Sequence, residues 1–122
     1  MEMDEPVLRV MERIEDGGRV VLTVQGEVDI ATVDALESRL VEICARKQSV
    51  TVDLRRVTFL DCLGVRLLLE QCDAAAAKGC RVDFIPGPPA VRRVLELTGA
   101  LERLSFVEAG APALHTLAAA GS

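Results

Sequence analysis

The sequence predicts an α/β fold, with a small mixed but mostly parallel sheet of four to five strands and about four helices. The chain opens with two apolar, partly β-branched segments separated by an acidic, glycine-containing turn, which is typical of a hairpin. After that hairpin, apolar residues alternate between a strand-like period and a helical period. Strands that alternate with helices imply right-handed crossovers and parallel pairing, so only the opening hairpin is expected to be antiparallel.

Two strands and one helix are predicted in the first part of the chain. Residues 7–14 and 19–25 form the hairpin around the turn EDGG at residues 15–18. The next apolar residues recur at steps of three and four between charged residues, which indicates an amphipathic helix. Thr32 is its expected N-cap. The apolar face of this helix consists of Val33, Leu36, Leu40 and Ile43.

A second strand and helix unit follows. Residues 49–54 (SVTVDL) are predicted as the third strand and residues 55–60 as a connector. A nearly continuous apolar segment then indicates a helix from about Cys62 to Lys78, which Gly79 ends. Residues 80–85 (CRVDFI) are predicted as the fourth strand.

Shorter elements are predicted in the remainder. Pro89 suits the first turn of a third helix that runs through Leu97. Residues 104–107 are predicted as a last short strand and residues 112–120 as a last helix. The length of 122 residues fits a single domain, with a core from about residue 7 to residue 119.

Charge and hydropathy exclude several classes of protein. The chain has 14 Lys and Arg against 19 Asp and Glu, a net charge of -5, so nucleic-acid binding is not expected. No apolar segment approaches the roughly 18 residues that span a bilayer. The acidic N-terminus, MEMDEPVLRV, lacks the layout of a secretory signal. We therefore expect a cytoplasmic protein without direct membrane contact.

The cysteines indicate neither a metal site nor a disulfide. None of the four forms a C-x-x-C pair and His115 is the only histidine, so no metal is expected. Cys62 and Cys72 are ten residues apart on one predicted helix, about 15 Å, which is too far for a disulfide. No P-loop or dinucleotide-binding glycine motif occurs, so no cofactor is expected.

Two segments are expected to meet at the carboxyl edge of the sheet, where α/β proteins bind ligands and partners. GEVD ends at Asp29 after the second strand, and LDCLG (60–64) precedes the second helix. If their strands are neighbours, Asp29 and Asp61 face each other across a shallow groove. The residues alone also fit a structural interpretation, in which Asp61 is an N-cap, Asp29 serves the helix dipole and Gly64 permits close packing.

Four segments together carry a family resemblance: GEVDIATVDAL (26–36), VTVDLRRVTFLDCLGVRLLL (50–69), KGCRVDF (78–84) and PAVRRVLELTGALERL (89–104). In their order and spacing they resemble a STAS domain, in particular the stand-alone bacterial anti-sigma factor antagonists. The resemblance implies a STAS-like fold and one STAS domain over residues 1–122.

The resemblance implies a partner-switching transcription regulator and not an enzyme. Family members bind an anti-sigma factor, usually a serine kinase with a histidine-kinase-like ATPase fold, and this binding frees the sigma factor. The kinase phosphorylates a serine directly after the aspartate that begins the second helix, and the phosphorylated form dissociates. A phosphate there adds nearly two negative charges. The resemblance assigns partner binding here to Asp29, Asp61, Cys62, Leu63 and Gly64.

This sequence departs from the family at the phospho-acceptor position, where Cys62 replaces the serine. Because a thiol is not an acceptor for a serine kinase, Cys62 is not expected to be phosphorylated. Thr58 is the nearest upstream hydroxyl, in the predicted connector. Three interpretations of Cys62 stay open: a silent replacement in an always-active antagonist, a redox switch at a helix N-terminus, and a buried structural thiol.

Two other functions compete with this hypothesis. A STAS accessory subunit of an ABC-type lipid transporter would share the fold, although the segment PAVRRVLELTG favours the sigma-regulator branch. A thiol enzyme that uses Cys62 would need a base or a resolving cysteine, and neither is evident in the sequence. The sequence leaves open whether two copies pair through an exposed edge strand.

Overall fold

A four-stranded sheet organises residues 8–46 and 49–108, the part of the chain that this computed structural model describes. The strands are β1 (Leu8–Ile14), β2 (Val20–Val28), β3 (Val50–Leu60) and β4 (Val82–Ile85). The helices are α1 (Val33–Ala45), α2 (Cys62–Ala77), α3 (Pro89–Leu97) and α4 (Ala100–Arg103). The strand order is β1-β2-β3-β4, antiparallel between β1 and β2 and parallel elsewhere. The predicted mixed, mostly parallel α/β fold is confirmed.

The hairpin turn depends on two glycines. Gly17 and Gly18 have φ angles of 90° and 86°, in the left-handed region that residues with a Cβ rarely adopt. The Glu15 amide donates to the Arg19 carbonyl at 2.8 Å and closes the turn. The turn lets β2 return antiparallel to β1, as the sequence predicts.

One face of the sheet forms an aliphatic core with the helices. Alternate residues of β2 and β3 are fully buried there, because successive side chains of a strand point to opposite faces. Helices α1, α2 and α3 add apolar side chains to the same cluster, in which Phe84 is the largest buried residue. The other face of the sheet carries mainly polar and charged side chains in β1 and β2.

The prediction that residues 55–60 form a connector is wrong, because β3 continues to Leu60. Thr23 pairs with Asp53 and Gln25 with Arg56, so Leu54 and Arg55 together oppose Val24 in a β-bulge. The bulge shifts the alternation of apolar residues, and two adjacent arginines, Arg55 and Arg56, lie in and directly after it in the sequence. The segment therefore lacks the alternating pattern that predicts a strand. Strand β2 also runs past residue 25, to Val28.

The end of the described chain differs in detail from the sequence prediction. The last strand, predicted over residues 104–107, is reduced to one parallel bridge between Phe84 and Phe106. A short helix, α4, precedes it and was not predicted, whereas α3 spans Pro89–Leu97 as expected. The predicted helix over residues 112–120 lies outside the described residues. Within the described ranges, none of the helices combines the length and apolarity needed to span a membrane.

Candidate functional site

The ends of β2 and β3 form the edge on which the sequence hypothesis depends. Val28 pairs with Leu60 in the parallel register, so Asp29 and Asp61 each follow a paired position. The Asp61 amide donates to the Val28 carbonyl at 3.2 Å and continues the pairing beyond the strands. The expectation that these strands are neighbours is confirmed, and both aspartates lie at the same edge.

Asp29 orders the loop that enters α1. Its Oδ1 accepts hydrogen bonds from the amides of Ala31 at 2.9 Å and Thr32 at 3.2 Å. Thr32 occupies the predicted N-cap position, but its side chain makes no capping bond. Its hydroxyl instead donates to the Glu27 carbonyl at 2.6 Å. Asp29 therefore has a structural role within this loop, and its side chain is only half-buried.

Asp61 is the N-cap of α2, as the structural interpretation predicts. Its backbone is extended, and its Oδ1 accepts the Gly64 amide at 2.8 Å. This bond satisfies one of the amides that a helix N-terminus leaves unpaired. The carboxylate is held in place before any partner arrives, with its side chain half-buried.

Gly64 is a packing position behind this edge. A Cβ at Gly64 would lie 2.9 Å from the Val28 carbonyl oxygen and 3.0 Å from side-chain atoms of Val28 and Leu60. The space that the missing side chain leaves is thus filled by the chain itself, and not open to a partner. Val65, which follows, is 2% exposed and belongs to the core.

Exposed apolar side chains lie within two residues of the two aspartates along the chain. Leu63 in the first turn of α2 is 42% exposed, and Cys62 beside it is also exposed. Ile30 after Asp29 and Phe59 near the end of β3 are 69% and 50% exposed. We refer to these surface positions as the docking rim: Asp29, Ile30, Phe59, Asp61, Cys62 and Leu63.

Sequence reasoning missed two members of the docking rim. Phe59 lies in residues 55–60, which the sequence predicted as a connector and not as part of β3. Its exposure could therefore not be deduced from the alternation of side chains in a strand. Ile30 is a lone apolar residue between a strand and a helix, a pattern that does not distinguish a surface residue from a buried one. Only their position at the shared end of β2 and β3 relates them to the aspartates.

Cys62 differs from the other cysteines in its exposure. Cys44 and Cys80 are buried, and Cys72 is half-buried. Burial is the main cause that raises the pKa of the Cys72 and Cys80 thiols to about 12, so both stay protonated at neutral pH. The interpretation of Cys62 as a buried structural thiol is therefore wrong, whereas the silent and redox interpretations remain. Among the described residues, no group of His, Cys, Asp and Glu is arranged to hold a metal ion.

Comparisons with known proteins agree with this architecture. An anti-sigma factor antagonist from Mycobacterium paratuberculosis has a similar structure, with a TM-score of 0.74, 26% identity, and 93% of this chain and 97% of that chain covered. The anti-sigma factor antagonist SpoIIAA in its unphosphorylated form gives a TM-score of 0.72 at 18% identity, over 92% and 97% of the two chains.

Sequence comparisons give the family. A search of curated proteins gives no match. The model of the STAS domain family matches residues 5–113, which include both strand ends, the docking rim and helices α1 to α4. The chain therefore belongs to the STAS domain family.

Proposed function

We propose that this STAS protein is an anti-sigma factor antagonist that binds an anti-sigma factor through the docking rim and thereby releases a sigma factor. The partner is a serine-kinase-type protein with a histidine-kinase-like ATPase fold. The similarity to the mycobacterial antagonist supports the class of function. The observation that carries the proposal is the register of β2 and β3, which brings Asp29 and Asp61 to one edge.

The docking rim combines two features of a protein interface. Ile30, Phe59 and Leu63 expose apolar area that a partner can bury. Asp29 and Asp61 supply negative charge, and their bonds to local amides fix their positions in advance. Little ordering is then required on binding. The partner surface is expected to present apolar side chains beside basic ones.

Cys62 makes the proposed antagonist constitutive. Its exposed thiol lies at the first position of α2, where the family's phospho-acceptor serine is expected. Because the thiol does not accept the phosphoryl group, the kinase cannot switch this rim off. We favour the silent replacement over the redox switch, since no second cysteine belongs to the rim and the other three lie buried or half-buried elsewhere.

Leu63→Asp tests the docking rim against Val41→Asp as a matched control. Leu63 and Val41 are exposed to similar extents, 42% and 46%, but Val41 lies on α1 outside the rim. Calorimetric titration against purified kinase-type anti-sigma factors of the same genome is expected to show at least tenfold weaker binding for Leu63→Asp only. Equal binding by both variants would show that the docking rim is not the binding surface. Binding to a transporter ATPase and to none of the anti-sigma factors would instead support the transporter hypothesis.

A further inference from the structure

A second feature has no role in the proposed docking. It is the open part of the sheet face that none of the described helices covers. The register aligns Arg9, Gln25 and Arg56 in one row across β1, β2 and β3. Met11, Thr23 and Asp53 form the next row. These side chains point away from the core, because their neighbours along each strand are the core-facing residues. A cavity of about 350 Å³ lies over these rows.

The cavity lining is rich in hydrogen-bond donors. It includes Arg13, Arg55 and Arg56 together with Thr23 and Gln25. Guanidinium, amide and hydroxyl groups are the donors that protein sites use to hold phosphate oxygens. Adjacent strands are about 4.8 Å apart, so the Arg9 and Arg56 backbones lie about 10 Å from each other with Gln25 between them. Arg9 does not line the cavity, so the donors of these two rows that can converge on one oxyanion are those of Thr23, Gln25 and Arg56.

The carboxylates that line the cavity are already neutralised by arginines. Asp53 forms two side-chain bonds with Arg55, at 2.8 and 3.0 Å. Glu12 is bridged at 2.9 Å by both Arg39 and Arg46.

Two of the three arginines that line the cavity, Arg13 and Arg55, are themselves paired with carboxylates. Arg13 pairs with Glu15 in an exposed bridge at 2.9 Å. Arg56 makes no ion pair with any residue in the described ranges, and the same holds for Arg9 in its row. An acidic chain, with a net charge of -5, thus presents unneutralised positive charge at this cavity.

We propose that this cavity binds the phosphate group of a small molecule, with Arg56 as its main cationic ligand and Gln25 and Thr23 as donors. The volume is within the range of small-ligand sites, about 300 to 1,000 Å³. An acidic peptide fits less well, because a peptide that adds as a strand needs an open sheet edge. Strands β2 and β3, which carry Thr23, Gln25 and Arg56, are paired on both sides, and the open edge of β1 lies at the side of the cavity. The proposal does not depend on the anti-sigma partner.

NMR titration of the full chain with inorganic pyrophosphate tests this proposal. Saturable amide shifts are expected at Thr23, Gln25 and Arg56, and Arg56→Ala is expected to weaken binding at least fivefold. Arg92→Ala is the matched control, since Arg92 is an exposed arginine of α3 outside the cavity. It is expected to bind like the unmodified chain. The amide spectrum of each variant reports that it is folded.

Several results would overturn the phosphate site. These are the absence of saturable shifts, shifts unaffected by Arg56→Ala, equal binding of citrate, and binding of acidic peptides alone. Leu63→Asp separates this proposal from the docking function, because it removes the partner contact and leaves the cavity residues unchanged. We expect its pyrophosphate affinity to equal that of the unmodified chain, and a loss there would place the phosphate at the docking rim and contradict the proposal.

Discussion

Asp53 and Asp61, eight positions apart, use one hydrogen-bonding device in two different surroundings. Each side chain accepts a nearby backbone amide through Oδ1, from Arg55 at 3.0 Å and from Gly64 at 2.8 Å. Asp53 is buried, and the Arg55 guanidinium neutralises it. Asp61 is half-buried and makes no ion pair with any residue that the structure describes.

The difference separates a structural carboxylate from one whose charge is available to a partner. Asp53 fixes the β-bulge of β3, and its charge is compensated within the chain. Asp61 fixes the start of α2, and within the described residues its charge is compensated by the helix N-terminus and not by a cationic side chain. The same residue type can thus stabilise the fold in both places, while only the uncompensated charge can contribute electrostatic complementarity at an interface.

The largest expected effect on stability comes from Gly64→Ala, which perturbs the support of Asp61. The new Cβ would lie 2.9 Å from the Val28 carbonyl oxygen, a backbone atom that cannot move aside easily. We expect a loss of about 2 kcal/mol in the free energy of unfolding in urea, within the range for overpacked sites. Cys62→Ala, at an exposed position of the same turn, is the control and is expected to change stability by less than about 0.5 kcal/mol. Equal stability of the two variants would contradict the close packing of α2 on β2.

A smaller effect is expected from Asp61→Ala, and Asp61→Asn separates the cap from the charge. Loss of an N-cap costs about 1 kcal/mol, whereas asparagine caps helices nearly as well as aspartate. In urea denaturation, only Asp61→Ala is therefore expected to be clearly destabilised. Both variants are expected to bind the anti-sigma factor more weakly. Unchanged binding by Asp61→Asn would show that the charge of Asp61 is not used at the docking rim.

The sequence predicted the edge better than the rest of the surface. An aspartate directly after each of two apolar strands is a local pattern, and parallel strands bring their carboxyl ends to one edge. Asp29 and Asp61 could therefore be placed from the sequence, as could the N-cap. The sequence could not show whether these aspartates only cap and order the chain or are also available to a partner. That depends on exposure and ion pairing, which distant parts of the chain determine.

The missed features share one physical cause. Bulges in β3 insert residues between paired positions, first at Leu54 and Arg55 and then at Thr58, and each insertion shifts the alternation of faces. No local pattern encodes these shifts, so the length of β3, the exposure of Phe59 and the row that contains Arg56 were not predictable. The core was easier to predict, because helical periodicity in α1 continues without interruption from Val33 to Ile43.

A still smaller effect is expected for Asp53, the carboxylate that Arg55 neutralises, and it is tested through the dependence of stability on pH. Burial raises the pKa of Asp53, but bonds from the side chain and backbone of Arg55, together with its charge, hold that pKa below its usual value of 3.8. A lowered pKa stabilises the fold above the unfolded value, and this contribution is lost as the pH falls through the folded value.

Arg55→Met is accordingly expected to destabilise the chain by about 1 kcal/mol or less at pH 7, since Arg55 is largely exposed. The difference from the unmodified chain is expected to shrink as the pH falls below about 4. The difference between variants is the informative quantity in urea denaturation, because bonds from Arg39 and Arg46 also lower the pKa of Glu12. A difference that stays constant from pH 7 to pH 3 would show that Arg55 does not act through the Asp53 charge.

Cys62→Ser is expected to have the smallest effect on stability and a qualitative effect on regulation. The side chain is exposed, and the Asp61 cap does not involve its Sγ, so the free energy of unfolding should change by less than about 0.5 kcal/mol. With the partner kinase and ATP, mass spectrometry is expected to find the unmodified chain unphosphorylated and Cys62→Ser phosphorylated at the new hydroxyl. The added charge would lie next to the uncompensated Asp61 carboxylate, so the phosphorylated variant should release the partner. A phosphate on Thr58 in the unmodified chain would instead show that the switch had moved into the bulge of β3, and that the antagonist is not constitutive.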